Sequence, residues 1–96
     1  MSEQMTIGQV SVVYVGRKPI AVYLARVITA LAEAQEVLIV ARGNFMRKAI
    51  SVAVRAIKAL GCDYHVKIDE EVLTTDERKR FIPKVEIRLI KRRPTA

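Results

Sequence analysis

The residues able to do chemistry are few. Cys62 and His65 are the only thiol and imidazole in the chain. Nucleophilic catalysis needs a Ser or Cys held against a His base, and His65 sits beside Lys67 in a segment that reads as a strand. The acids come as adjacent pairs, Glu70-Glu71 and Asp76-Glu77. In an extended chain adjacent side chains point to opposite faces, so neither pair converges as an acid/base dyad. Gly16-Arg17-Lys18-Pro19 lacks the spacing and the Ser/Thr of a P-loop. One Cys and one His are too few for a structural zinc site. A single Cys also excludes an internal disulfide framework and fits a reducing compartment. The chain reads as a non-enzyme without metal or cofactor.

Charge is the stronger signal. Seventeen Lys/Arg against ten Asp/Glu leave a net +7 on 96 residues. Such an excess points to a polyanionic partner, nucleic acid first and an acidic membrane surface second. The cations are clustered. Arg17 and Lys18 form one group, Arg42, Gly43, Asn44, Arg47 and Lys48 a second segment, and Arg78-Lys79-Arg80 a third. Lys91-Arg92-Arg93, near the end, is the least specific. The aromatic residues Tyr14, Tyr23, Phe45, Tyr64 and Phe81 are dispersed. That argues for contacts to a phosphate backbone rather than a single-strand stacking platform.

The elements that must position these groups follow from periodicity. Length and the 51% hydrophobic content predict one domain over residues 1–96, with no repeat and no linker. No apolar run approaches the ~20 residues of a membrane span, and the first residues lack the pattern of a signal peptide. Residues 1–8 read as a loose start. Val10–Val15 and Glu36–Ala41 are short, nearly continuous apolar runs, expected as buried strands. Between them Pro19 fits the first position of a helix, and Ile20, Leu24, Val27, Ile28 and Leu31 recur at helical spacing. Strand, helix, strand makes a right-handed βαβ unit. Asn44 is a suitable N-cap and Gly61 a suitable end for a second helix, with Met46, Ile50, Val54 and Ile57 as its apolar stripe. Tyr64, Val66 and Ile68, then Val85, Ile87 and Leu89, alternate with polar residues as half-buried strands. The polar stretch between them, about 70–82, is expected as an extended β-hairpin arm with its cations near the tip. The order is βαβαββ, an α/β (α+β) two-layer sandwich. Both strand-to-helix turns then leave the same sheet edge and place Arg17, Lys18, Arg42, Arg47 and Lys48 at two helix starts. Cations there destabilise a helix by about 0.3–1 kcal/mol each, which a bound polyanion offsets.

Two segments carry a resemblance. Val13-Tyr14-Val15-Gly16-Arg17-Lys18-Pro19 before an apolar helix, and Ile39-Val40-Ala41-Arg42-Gly43-Asn44 before a helix with Lys48-Ala49-Ile50, resemble the Alba family of archaeal chromatin proteins. The resemblance covers about residues 7–93. It implies a fold like the C-terminal domain of translation initiation factor three: a mixed four-stranded sheet with two helices on one face. It also implies a homodimer, or a heterodimer with a paralogue, that coats double-stranded DNA without sequence preference and often binds RNA. Its site would be cytoplasmic, on the chromosome. By position, Arg17, Lys18, Arg42 and Asn44 match phosphate-contacting loops, Lys48 a basic helix position, and Asp76 to Arg80 an arm lying along the minor groove. Lys18 becomes a site of possible acetylation, which would weaken DNA binding, and Leu60 occupies the place of a dimer–dimer contact. This chain departs from the pattern in having Arg17 where many members have lysine, Asn44 where many have arginine, and Leu60 where some have phenylalanine. The surplus apolar surface of the first helix, with Ala21, Val22 and Ala25, and of the second, with Leu60, is expected to serve dimerisation. Two rival readings remain open: an RNA-binding subunit of a ribonucleoprotein, and a protein–protein interaction module using the broad apolar helix faces.

Overall fold

The computed structural model describes residues 4–7 and 10–92. In chain order the elements are β1 (Gln4–Ile7), β2 (Val10–Tyr14), α1 (Ile20–Glu33), β3 (Glu36–Arg42), a 3-10 turn (Gly43–Phe45), α2 (Met46–Leu60), β4 (Asp63–Thr75) and β5 (Arg78–Ile90). They form one mixed sheet in the order β1-β2-β3-β5-β4, with two helices. The expected βαβαββ unit is β2 to β5, and its four strands are the expected mixed sheet. β1 is additional: part of the segment expected as a loose start pairs antiparallel with β2, from Gln4 opposite Val13 to Ile7 opposite Val10. Four residues are too few to show a period, so only the free edge of β2 reveals this strand.

Strand direction decides the layout. β2 and β3 are parallel, β5 is antiparallel to β3, and β4 is antiparallel to β5. β4 therefore runs with β2 and β3. Each helix is a crossover between parallel strands, both moving the same way across the sheet. Right-handed crossovers then put both helices on one face. Between the layers Val13, Tyr23, Val27, Ile39, Val52 and Leu89 are completely or almost completely buried.

The helix ends shift slightly from expectation. Pro19 is the N-cap of α1 rather than its first helical residue. Asn44 does not cap α2, which begins at Met46 without a side-chain cap. Gly43, at φ +55°, turns the chain into the 3-10 turn directly after β3, so Asn44 never adopts the extended cap geometry. Gly61 ends α2 in the left-handed conformation as expected, its N–H donating to the Ile57 carbonyl at 2.7 Å. The buried face of α2 is Ala49, Val52, Ala53 and Ala56. Small side chains let the helix approach the sheet closely. The Met46, Ile50, Val54, Ile57 stripe is turned sideways, leaving Ile50 48% and Val54 43% exposed.

β4 and β5 stay paired from Asp63–Ile90 out to Thr75–Arg78, whereas β3 leaves β5 at Arg42–Lys84. Beyond that point the hairpin is a bare two-stranded ribbon of about 20 Å. Asp76 and Glu77 close it with φ of 42° and 67°, the signature of a two-residue type I′ turn. Pro83 sits in the ribbon opposite Glu70, one residue past the last β3 pair, where β3 demands no donor from it. The ribbon makes the molecule long, 58 × 23 × 23 Å.

Candidate nucleic-acid interface

Two basic turns and the root of the arm share one end of the sheet, and the third basic segment lies out along the arm. Because β2, β3 and β4 run in the same direction, the turn after β2, the turn after β3 and the arm all leave from their carboxyl ends. Arg17, Lys18, Arg42, Asn44 and Arg47 are exposed there, Gly43 and Lys48 are half-buried, and Arg78, Lys79 and Arg80 are exposed near the arm's tip.

The first turn is held by two side chains. The fully buried Tyr23 accepts hydrogen bonds at its hydroxyl oxygen from the Gly16 N–H (2.9 Å) and the Lys18 N–H (3.1 Å). Lys48, from α2, donates its ammonium to the Gly16 carbonyl at 2.9 Å and the Lys18 carbonyl at 2.7 Å. The same ammonium lies 6.0 Å from the Tyr23 ring centre and 5.8 Å from that of Phe45. Two amides and two carbonyls of this turn are thus satisfied internally. Lys48 joins the second basic segment to the first, and its ammonium is occupied by backbone.

Arg42 also has a partner. Its Nε donates to Glu71 Oε2 at 2.8 Å, and Lys84 Nζ lies 3.4 Å from Glu71 Oε1. The Arg42 hydrogen bond, with Lys84 assisting, holds the Glu71 carboxyl below the usual carboxylate range. Glu71 in turn raises the Arg42 guanidinium above its ordinary value. This bridge fastens the base of the arm to the end of β3. Arg17, Arg47, Arg78, Lys79 and Arg80, by contrast, make no ion pair among the described residues. On the sheet face away from the helices the charges compensate, Arg88 with Glu36 at 3.4 Å and Lys84 with Glu86 at 3.6 Å.

A family model for Alba matches residues 11–61, just over half of the chain and both strand-to-helix turns. The chain belongs to the Alba family. Among solved structures it is similar to Alba from Thermoplasma volcanium, with 27% identity and a TM-score of 0.72 over 83% of this chain and 99% of that one. It is also similar to ALBA1 from Trypanosoma brucei, at 22% identity and a TM-score of 0.54, covering 83% of this chain and 68% of that one. The latter likeness concerns the fold alone. No curated protein sequence matches. An Alba domain is a nucleic-acid-binding fold, consistent with two basic turns at the end of the sheet from which the arm leaves.

Tyr23 and Glu71 were not among the expected site residues. Tyr23 had a signal: a tyrosine within the buried repeat Tyr23, Val27, Ala30 and Leu31 must find a partner for its hydroxyl, and the preceding turn is the nearest polar backbone. Glu71 had none, because its partner Arg42 is 29 residues away. Cys62 is buried, and burial pushes its thiol up, which favours the neutral form. No helix among the described residues is long and apolar enough to cross a membrane.

Proposed function

We propose that this Alba chain binds nucleic acid through its phosphate backbone, without sequence preference, and coats double-stranded DNA on the chromosome as a dimer. The supporting observation is the common end of the sheet from which the two basic turns and the arm bearing Arg78, Lys79 and Arg80 emerge. Arg17, Lys18, Arg47 and the arm cations supply charge, while Gly43 and Asn44 shape the second turn. Lys18 is the position where acetylation would remove charge, and the guanidinium of Arg17 would keep its own.

The dimer reading rests on an apolar groove of about 440 Å³ between α2 and β4, whose walls include Ile50, Val54, Tyr64, Val66 and Ile68. Tyr64, Val66 and Ile68 are 57%, 54% and 75% exposed. Beside them lies the outer edge of β4, which no strand covers among the described residues. A second copy is the proposed occupant, because a two-fold axis would set this exposed apolar face against its own counterpart and cover both beside the open edge of β4. Leu60, 47% exposed, lines a separate hollow near Ile28 and Cys62, which leaves it available for contact between dimers.

Binding to one duplex at several salt concentrations tests the reading. About six phosphate contacts per dimer give a slope of log K against log salt near −5. Arg17→Ala/Lys18→Ala should lower affinity and flatten that slope, and Lys18→Gln should do so less. A flat salt response of the parent would contradict phosphate coating. RNA duplex of the same sequence, at the same salt, compares the two polymers.

A further inference from the structure

Val72 and Phe81 are opposite each other on the arm, and they remain 52% and 59% exposed. Strand alternation places them on the face that carries Tyr64, Val66 and Ile68 nearer the body. Glu70 and Pro83, the intervening pair on that face, separate the two apolar areas. The next pair outward is Thr74 with Lys79, while Arg78 and Arg80 lie on the reverse face. Among the described residues none of these three cations makes an ion pair.

An exposed aromatic ring on a bare ribbon contributes nothing to the core, and neither neighbouring strand covers it. Its surroundings restrict what could. On this face the ring has Lys79 outward and Glu70 diagonally inward, so contact with a second copy at this patch would show as a change of oligomeric state in a Phe81 variant. A ring with a lysine two residues away on the same face matches one nucleotide, whose base has a π-face and whose phosphate has a charge. Stacked duplex hides base faces, so the base must be unpaired or opened.

We propose that Phe81, backed by Val72, is a stacking site on the arm for one unpaired nucleotide of a single-stranded segment, with Lys79 on the neighbouring phosphate. This rests on the nucleic-acid reading above and adds the class of ligand. The aromatic residues are dispersed along the chain, as the sequence indicates, yet one of them is enough when the arm holds it exposed beside Lys79.

The chain has no tryptophan, so Phe81→Trp introduces a single reporter. The full chain is titrated with a single strand of about 20 nucleotides and with its duplex. The expected results are quenching of the tryptophan by the single strand and a loss of at least about fivefold in single-strand affinity for Phe81→Ala. The salt slope should not change, since no charge is removed. Duplex affinity should stay near the parent's, and Phe81→Tyr should bind like the parent. The proposal is overturned if Phe81→Ala binds the single strand normally, loses both polymers equally, or turns a dimer into a monomer. An unquenched tryptophan at saturation overturns it as well. If the parent binds neither polymer, the nucleic-acid reading fails with it; if the parent binds and only these variant effects are missing, the stacking site alone fails.

Discussion

The ammonium of Lys48 is surrounded by the Gly16 and Lys18 carbonyls and two aromatic rings, and this decides what it can do. It holds the first turn in place and adds to the local positive potential, while Arg17 presents its charge outward. Replacing Lys48 by Met frees two carbonyls that a charged donor satisfies. Hydrogen bonds to charged groups contribute about 1.5–3 kcal/mol, reduced here by partial exposure. Lys48→Met should therefore speed amide exchange at Gly16 and Lys18 in the protein without nucleic acid, and Lys48→Arg should restore part of the protection. A direct phosphate contact predicts something different: unchanged exchange in the free protein and a salt slope flatter by about 0.9 per contact. Tyr23 belongs to the same unit, since its hydroxyl receives the two amides whose carbonyls lie against Lys48.

The arm continues β4 and β5 out of the body, and one carboxylate bridges its root to β3. Glu71 takes Arg42 from β3 and Lys84 from β5, adding a partly exposed side-chain tie to the root of a ribbon whose register the backbone ladder sets. The bridge also occupies Arg42, a cation the binding surface could use. Glu71→Gln removes the bridge, whereas Glu70→Gln removes an equal charge from the opposite face of β4. Both should raise affinity for duplex DNA through net charge. Only Glu71→Gln should also steepen the salt slope, by roughly 0.9 for each Arg42 released to a phosphate, and loosen amides near Ile82. Identical behaviour of the two variants would remove the latch from consideration. The pH dependence has a definite sign. Glu71 is depressed in the folded state, so its contribution is present above the ordinary glutamate value and is lost as pH falls through its lowered one. Acid should free the arm's root, visible as exchange at Ile82 quickening on that descent.

At the scale of the whole molecule, the apolar groove and the basic edge are different surfaces. A dimer through α2 and β4 would bury Ile50, Val54 and Val66 while leaving both copies of the basic turns open. Ile50→Asp/Val54→Asp places charge in that contact without touching the fully buried Val52 and Ala56. Sedimentation should show a monomer at micromolar concentration, with the helical circular dichroism retained. Weaker DNA binding follows, because each particle then carries half the phosphate contacts. Leu60→Glu should leave the dimer intact and remove cooperativity along the duplex. A double Asp variant that still sediments as a dimer would move the interface elsewhere.

Much of this architecture is local and therefore legible in the residues. Periods of two and near 3.6, a glycine at the end of α2 and the apolar runs of β2 and β3 are enough for βαβαββ. The parallel βαβ unit then puts the two basic turns on one edge. The Gly16-Arg17-Lys18-Pro19 and Ala41-Arg42-Gly43-Asn44 segments carry the Alba resemblance, and the matched region includes both. The third dimension decided the rest. Lys48 meets Gly16 across 32 residues and Arg42 meets Glu71 across 29, and no periodicity records contacts of that separation. The alanines of α2 face the sheet, where small side chains permit close approach of helix and strands. That choice left Ile50 and Val54 on a groove instead of in the core. β1 exists because β2 has an edge to pair, and Asn44 lost its cap to the turn at Gly43. Each of these outcomes depends on which surfaces remain after the layers pack, and packing is a property of the assembled chain.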